Sequence, residues 1–257
     1  MATIFTATPQ PSNNPPRTLL ELTYTGQTQA TVTRLDPDGA ARAVRLAEPA
    51  TLSGGAWVGY DYESWFGRPT TYTAITSAGS ISTGAVTLAV DRPWLRHPGI
   101  PSLSMEIDYQ GDGTPVRPAN LSVLEPLGRS SPIVLSDGQR KSKRGTITIR
   151  TRTLGEAATL LALTDDLSVL LLDIPPGLNY GITHEYRALG DLNEDRLQPD
   201  WYKHPWRIWT APFTTVDRPA GGLQAQRTWA TVIAEAPTWS ALLNTYSTWS
   251  DVLTGDS

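Results

Sequence analysis

The chain has 257 residues, of which 39% are hydrophobic and 18% charged, and its formal net charge is −4. This length suits two modest domains better than one. So small a net charge argues against specific nucleic acid binding and against binding to a membrane surface. The sequence contains no cysteine, which excludes disulfides, thiolate metal sites and a cysteine nucleophile.

The amino-acid composition favours strands joined by turns over helices, since there are 21 glycines, 21 prolines and many threonines. Nine tryptophans stand against three phenylalanines, and tryptophan is enriched at protein interfaces. The first seven residues lack the basic and apolar segments of a secretory signal. No apolar run approaches the ~18 residues of a membrane span. We therefore expect folding in a cytoplasm and no membrane partner.

Residues 1–16 are predicted to form a flexible N-terminal arm. Pro9, Pro11, Pro15 and Pro16 lie close together, and proline has no backbone N–H to donate. A helix or a central strand is therefore excluded here. An arm that reaches a neighbouring subunit is the alternative interpretation.

Residues 17–93 are predicted to form a β-sandwich of the fibronectin type III or immunoglobulin-like kind. Leu20, Leu22 and Tyr24 alternate with polar residues, which indicates a half-buried strand. Asp36-Pro37-Asp38-Gly39 is a turn sequence. Further strands are predicted over residues 30–35, 42–46, 56–63, 70–76 and 84–90. About seven short strands separated by turns are typical of such a sandwich.

Residues 94–236 are predicted to form a second, α+β unit in which one helix covers one face of a β-sheet. Strands are predicted over residues 103–109, 121–124, 131–136, 145–153, 168–174, 186–194 and 206–216. The helix is predicted over residues 154–163, with Thr153 as N-cap and Glu156 completing a capping box. The spacing of its apolar residues predicts an inner face formed by Leu154, Ala157, Ala158 and Leu161.

The sequence contains no G-x-S-x-G, H-E-x-x-H, Walker A or strand-linked G-x-G-x-x-G motif. His97, His184 and His204 are far apart, which favours structural roles over a metal site. Residues 108–113 resemble part of a calcium loop but lack the closing glutamate, so a hairpin turn is predicted. We expect no catalytic residue, no metal, no cofactor and no enzyme activity.

Two carboxylates and one basic run have a chemical interpretation beside an ordinary one. Asp61 and Glu63 could serve glycoside hydrolysis, but two residues at i and i+2 on a strand commonly share a face, so neither is assigned a catalytic role. The basic run is interpreted first as a solvated hairpin tip, second as a contact to an acidic subunit and last as a phosphate contact. Its four charged residues are candidates for an interface: Arg140, Lys141, Lys143 and Arg144.

Aromatic residues are dense between positions 180 and 209, with arginines among them. Such a stretch can line a carbohydrate groove, or it can form core plus an interface with arginine anchors. Trp206 and Trp209 lie three positions apart and so face opposite sides of a strand. We expect one in the core and the other less buried. The remaining aromatic residues are Tyr180, Tyr186, Trp201 and Tyr202.

The C-terminal residues 237–257 repeat themselves. Thr238-Trp239-Ser240 returns ten positions later as Thr248-Trp249-Ser250, and each copy continues with one further residue, then leucine or valine, then leucine. A segment this short cannot bury two indoles against itself, and leaving them in water costs several kcal/mol at roughly 25 cal/mol per Å². We predict a tail that docks on its own chain or on a neighbour. Its candidate interface residues are Trp239, Leu242, Leu243, Tyr246, Trp249 and Leu253.

Several stretches of the sequence form a recognisable set together with the paired Thr-Trp-Ser units: residues 34–39, 60–63, 69–72, 127–134, 136–138, 145–151, 154, 156–157, 190–192, 206–210 and 216–219. Through them the chain, from about residue 18 onward, resembles minor tail or distal tail proteins of actinobacterial siphophages and prophages.

The resemblance implies a structural virion protein at the distal end of a tail, made in the host cytoplasm. It implies a tail-tube-like sandwich or split barrel with one flanking helix over residues 94–236, assembled as a ring. The expected partners are further copies of the chain (a hexamer, or else a trimer), the tail tube and other tail-tip or baseplate proteins. The alternative is a carbohydrate-binding module for host-surface glycans, and a hydrolase with an unrecognised site is a third hypothesis.

Overall fold

A computed structural model describes residues 3–46, 50–125, 127, 130–165, 169–196, 204–221, 236 and 238–245. Within this part of the chain the protein is mainly β, with nineteen strands arranged in four antiparallel sheets. The strands alternate buried and exposed side chains along much of their length, as the sequence pattern predicts.

The first unit consists of two sheets that share one core. Their strands are β1 Ile4–Gln10, β2 Arg17–Thr23, β3 Gln29–Leu35, β4 Ala41–Ala43, β5 Ala50–Thr51, β6 Ala56–Asp61, β7 Pro69–Thr76, β8 Gly79–Ser82 and β9 Val86–Thr87. One sheet has the order β1-β2-β6, and the other has the order β4-β3-β7-β8 with β5 on β3 and β9 on β7. Leu20 and Leu22 of the first sheet pack with Val32, Tyr72 and Ala74 of the second.

The expectation of a flexible arm is wrong for residues 4–10, which form β1. This strand pairs along its whole length with β2, and Phe5 is buried in the core opposite Leu22. Pro9 is tolerated because β1 lies at the edge of its sheet, where the missing N–H breaks no internal ladder. The proline-rich sequence gives no local sign of a strand here, because β1 forms through its pairing with β2, which is a tertiary contact.

The second unit is built on an eight-stranded sheet with the order β11-β10-β16-β17-β19-β15-β12 and with β18 on β19. Its elements are β10 Trp94–Arg96, η1 Pro101–Leu103, β11 Met105–Glu106, β12 Asp108–Asp112, β13 Ala119–Leu124, β14 Ile133–Arg140, β15 Arg144–Thr151, α1 Leu154–Thr164, β16 Val169–Asp173, η2 Pro176–Leu178, β17 His184–Leu189, β18 Asn193–Arg196 and β19 Arg207–Thr215. A short helix, α2 Trp239–Thr245, follows.

This sheet curls so that its two ends are formed by one stretch of chain. β11 and β12 stand at opposite ends of the strand order, yet Ile107 alone separates them in sequence. The curled sheet surrounds an apolar core to which Ile107, Ile147, Leu172 and Trp209 contribute. The α1 helix connects β15 to β16 and packs against β11, β15 and η1.

The predicted bounds and N-cap of α1 are confirmed, but its predicted inner face is wrong. Thr153 Oγ1 accepts a hydrogen bond from the Glu156 backbone N–H at 3.1 Å. The buried residues are Ala157, Leu160 and Leu163, whereas Leu154 and Leu161 are exposed. Apolar residues lie almost all round this helix, so periodicity could not decide which side meets the sheet.

Candidate assembly surface

β13 and β14 form a two-stranded sheet of their own, here called the β13–β14 hairpin (residues 119–140). Its register pairs Ser122 with Leu135, Val123 with Val134 and Leu124 with Ile133. The hairpin joins the second unit at its base, where the backbone N–H of Val116 donates to Arg144 O at 2.7 Å. Within the described residues, β13 and β14 pair with no other strand.

Both faces of the β13–β14 hairpin are apolar, and both are exposed. Because side chains alternate across a strand, the register divides six residues into two sets of three. One face carries Leu121, Val123 and Val134, and the opposite face carries Leu124, Ile133 and Leu135. All six are between 37% and 57% exposed. Antiparallel strands with one solvated face normally alternate apolar and polar residues, so this hairpin has the composition of a strand pair covered on both sides.

Sequence reasoning predicted these two strands but missed their surface. The signal in the sequence is a pair of consecutive apolar runs, at positions 123–124 and 133–135. A strand with only one buried face would instead alternate apolar and polar residues. β14 also extends beyond the predicted end of this strand at residue 136, through Asp137 and Gly138 to Arg140. Gly138 has a φ of +78°, and the register shifts between Ala119 and Leu121, so the strand carries a bulge there.

The basic run lies at the base of the hairpin and not at its tip, because β14 pairs with β13 and not with β15. Arg140, Lys141 and Arg144 are exposed. Lys143 differs, since its Nζ donates to both carboxylate oxygens of Glu185 at 2.7 Å and lies 5.7 Å from the Phe213 ring centre. Three of the four candidate cations are therefore presented to solvent, while Lys143 is held inside its own chain.

Of the C-terminal interface candidates that the structure describes, one is buried and two are exposed. In α2, Leu242 is buried against Ala236 and Ala241, whereas Trp239 and Leu243 are exposed. Tyr246, Trp249 and Leu253 lie outside the described residues, as do Trp201 and Tyr202 of the aromatic stretch. Docking of the tail therefore stays a prediction.

Asp61 and Glu63 belong to a buried junction between the two units. The Arg34 guanidinium donates to both Asp61 oxygens at 3.0 and 2.9 Å, and the Tyr72 hydroxyl donates at 2.9 Å. Burial by itself raises the pKa of the Asp61 carboxyl, but Arg34 and the donated hydrogen bonds hold it below its usual value. Glu63 accepts from Tyr186 Oη at 2.9 Å, from Arg45 Nε at 3.3 Å and from Arg218. Both carboxylates are committed to these partners.

Arg96 and His184 extend the junction. Arg96 donates to Tyr62 O at 2.7 Å and to Ser64 O at 2.9 Å, and it pairs with the Asp173 carboxylate. His184 stacks on Trp65 with ring centres 4.6 Å apart, and its Nδ1 lies 3.1 Å from Asp173. Burial, and then the nearby positive charge of Arg96, lower the pKa of His184 well below 6.5. Charged side chains thus join the two units without being free for a substrate.

The remaining chemical candidates also have structural partners. Residues 108–112 form the bulged strand β12 instead of the predicted turn. Asp108 binds Arg150 and Arg152, and Asp112 binds Arg187. Across the described part of the chain, no three histidine, aspartate or glutamate side chains are grouped to hold a metal ion.

The prediction for Trp206, just before β19, and for Trp209, within β19, is confirmed. Trp209 is buried and donates through Nε1 to Thr151 Oγ1 at 2.9 Å, whereas Trp206 is 36% exposed.

Neither α1 nor α2, the helices of the described residues, has the length and apolar character that crossing a bilayer requires.

No protein-family model matches the chain, and a search of curated proteins found no significant relative.

Proposed function

We propose that this protein is a structural subunit of the distal end of a phage tail, without enzyme activity, that forms a ring between the tail tube and the tail tip. The observation that carries the assembly role is the β13–β14 hairpin with its two exposed apolar faces. A hairpin of two strands is marginal in water by itself. Contiguous exposed apolar surface marks an interaction site, and here each face needs its own cover.

The energetic argument favours several simultaneous contacts over one. Full burial of a valine, leucine or isoleucine contributes about 1.5–3 kcal/mol, so six half-exposed residues offer roughly 5–9 kcal/mol. Association costs about 4–15 kcal/mol in lost freedom. A single hairpin contact is therefore near balance. A closed ring stabilises each subunit through two interfaces at once, and for this reason we favour a ring over a dimer.

The resemblance to distal tail proteins supplies the identity of the assembly, and two features of the fold support it. The first unit has two sheets around one core, which suits the expected fibronectin type III-like sandwich. The second has a curled sheet with α1 between β15 and β16, which suits the expected tail-tube-like split barrel with one flanking helix. Location in the virion and a hexameric ring, with a trimer as the alternative, belong to this proposal.

Sedimentation velocity over a wide concentration range, followed by negative-stain electron microscopy, tests the proposal. A ring subunit gives one discrete oligomer with a central opening that grows at the expense of monomer. A monomer at every concentration that binds purified host cell-wall glycan saturably would instead identify a carbohydrate-binding module. Turnover of that glycan would point to a hydrolase.

A further inference from the structure

An open cleft lies at the seam of the curled sheet, where β11 ends and β12 begins. Its volume is about 440 Å³, which falls within the roughly 300–1,000 Å³ of sites that bind small molecules. Its other walls come from the approach to β10, from the first turn of α1, and from η2 with the segment that follows it. Four separate parts of the chain therefore meet around one concavity of the second unit.

Tyr180 forms the aromatic wall of this cleft and is 45% exposed. Its hydroxyl donates to the backbone oxygen of Tyr109 at 3.2 Å, and the two rings meet edge to face with their centres 5.0 Å apart. Leu178, which is 41% exposed, adds apolar surface to the same wall. An anchored tyrosine ring offers a ligand a flat apolar surface at little cost in side-chain entropy.

The backbone on both sides of Tyr180 has an uncommon conformation. Asn179 has a φ of +54° and is the one non-glycine residue of the described chain with a positive φ, and Gly181 follows with a φ of +71°. The left-handed conformation costs a non-glycine residue roughly 1–2 kcal/mol, and such positions concentrate at functional sites. Tyr180 does not belong to the hydrophobic core of its unit, so this backbone does not serve to bury it. It instead presents the ring at the cleft.

Ion pairs hold the charged side chains of the cleft in place. Arg92 Nη1 donates to Glu106 Oε1 at 2.7 Å. Arg152 Nε and Nη2 donate to Asp108 Oδ2 at 3.0 and 2.8 Å, and Glu156 Oε2 accepts the backbone N–H of Arg152 at 2.7 Å. These bonds limit the motion of side chains that line the cleft, so their remaining polar atoms have a defined arrangement.

Four of these side chains retain polar atoms that have no partner among the described residues. Glu106 Oε2 and Glu156 Oε1 remain as acceptors, and Arg92 Nη2 and Arg152 Nη1 remain as donors. A cationic ligand could use only the acceptors, and an anionic ligand could use only the donors. A hydroxyl group both donates and accepts, so a neutral ligand rich in hydroxyl groups satisfies the whole set.

We propose that this cleft binds a neutral saccharide. One pyranose ring packs its apolar C–H face on Tyr180, and its hydroxyl groups bond to the free polar atoms of the charged pairs. Small-molecule sites commonly combine an aromatic wall with a few fixed polar groups, as this cleft does. The site goes beyond the proposed ring and does not depend on the β13–β14 hairpin. A ring repeats it once per subunit, which strengthens binding to a glycan of repeating units.

Isothermal titration calorimetry of the natural chain tests the site. The probes are neutral tetrasaccharides built from glucose, N-acetylglucosamine, mannose or galactose, beside the cationic tetrasaccharide of glucosamine. We expect at least one neutral tetrasaccharide to bind with a Kd below ~10 mM. It should bind at least about tenfold more tightly than the cationic one, because an ammonium group leaves the arginine donors of the cleft without an acceptor.

Two substitutions locate the binding. Tyr180→Ala should weaken binding of the tightest neutral tetrasaccharide at least about tenfold, because it removes the stacking surface. Glu106→Gln should weaken binding by about threefold or more, because a carboxylate is a stronger acceptor than an amide. Trp239→Ser and Glu21→Gln are the matched controls, since these exposed residues do not line the cleft and their variants should bind like the natural chain. Circular dichroism of each variant verifies the fold.

The site is overturned if no neutral tetrasaccharide binds, if the glucosamine tetrasaccharide binds more tightly, or if Tyr180→Ala binds like the natural chain. Sedimentation of the same samples keeps this result apart from the ring. A discrete oligomer that binds no saccharide leaves the proposed function standing. A permanent monomer that binds a saccharide through Tyr180 supports the site and contradicts the ring.

Discussion

The junction between the units and the β13–β14 hairpin distribute polarity in opposite ways. The junction places arginines, carboxylates and a histidine in the interior, where Arg34, Asp61 and Glu63 are each 1% exposed. The hairpin places leucine, valine and isoleucine on the outside. Buried charge is tolerated because Asp61 and Glu63 each accept from a guanidinium and from a tyrosine hydroxyl. Exposed apolar surface has no corresponding compensation within the chain's described residues.

The junction is complete within one chain, whereas the hairpin is not. The charges of the junction find their partners within one chain, so this region determines how the two units are held together. The apolar residues of the hairpin require partners from outside. Substitutions in the junction should therefore change the stability of the monomer, whereas substitutions in the hairpin should change assembly.

Glu63→Gln should cause the largest loss of stability. It removes the charge that Arg45 and Arg218 share at the junction and leaves at least the buried Arg45 without a counter-ion. Removing one partner of a buried ion pair costs about 3–5 kcal/mol, which chemical denaturation would measure. Glu106→Gln is the matched control, since its pair with Arg92 is exposed and should leave stability unchanged. Equal losses in the two variants would remove the distinction drawn for the junction.

The stability of the monomer should fall as pH drops below 6.5, because His184 is held neutral in the fold. A histidine with a lowered pKa contributes stability that is fully present above its ordinary value of 6.5 and is lost as pH falls towards the folded pKa. One such group gives a slope of about 1.4 kcal/mol per pH unit. His184→Gln should remove this pH dependence from the free energy of unfolding, measured by urea denaturation between pH 6.5 and 5. His204→Gln, on an exposed residue, should preserve the slope.

Gly138→Ala should destabilise the hairpin locally. A non-glycine residue at a φ of +78° costs roughly 1–2 kcal/mol, and open space around Gly138 leaves the backbone as the only cause. Hydrogen exchange of the β13 and β14 amides should accelerate by about five- to thirtyfold, with the junction unaffected. Gly84 also lies in open space but has no positive φ. In the Gly84→Ala variant, the β13 and β14 amides should exchange at the same rate as in the natural protein. Acceleration in both would show that the bulge is not responsible.

Trp239→Ser should have the smallest effect on the monomer, within about 0.5 kcal/mol, because Trp239 is 65% exposed. It should nevertheless weaken the oligomer if the C-terminal tail docks on a neighbour. Leu242→Ser, at the buried position of α2, should instead loosen the helix itself. Differential scanning calorimetry and sedimentation of both variants separate the two outcomes. Normal assembly of Trp239→Ser would assign the tail to its own chain.

Local features of the fold could be predicted from the sequence, and long-range ones could not. The strands of the first unit and the Thr153 cap of α1 follow from alternation and capping chemistry within a few residues. The pairing of β1 depends on a strand elsewhere in the chain. The inner side of α1 depends on which of several apolar rows meets the sheet.

The candidate sites show the same limit. Arg45 and Arg218, the ionic partners of Glu63, are separated from it by 18 and by 155 residues in the sequence. No local pattern could therefore indicate that this carboxylate is already paired. The apolar character of residues 123–124 and 133–135 was readable in the sequence. Their exposure was not, since it depends on β13 and β14 pairing only with each other in the described structure.

We propose that the exposed hairpin builds the assembly while the junction maintains the fold. Native mass spectrometry of the natural chain, beside a Leu121→Ser, Val123→Ser, Val134→Ser triple variant, separates these two roles. We predict one closed oligomer, six or three copies, for the natural chain and a folded monomer for the variant. The denaturation midpoint of the variant should equal that of the natural chain measured at a concentration too low for assembly. A triple variant that assembles like the natural chain would contradict the account.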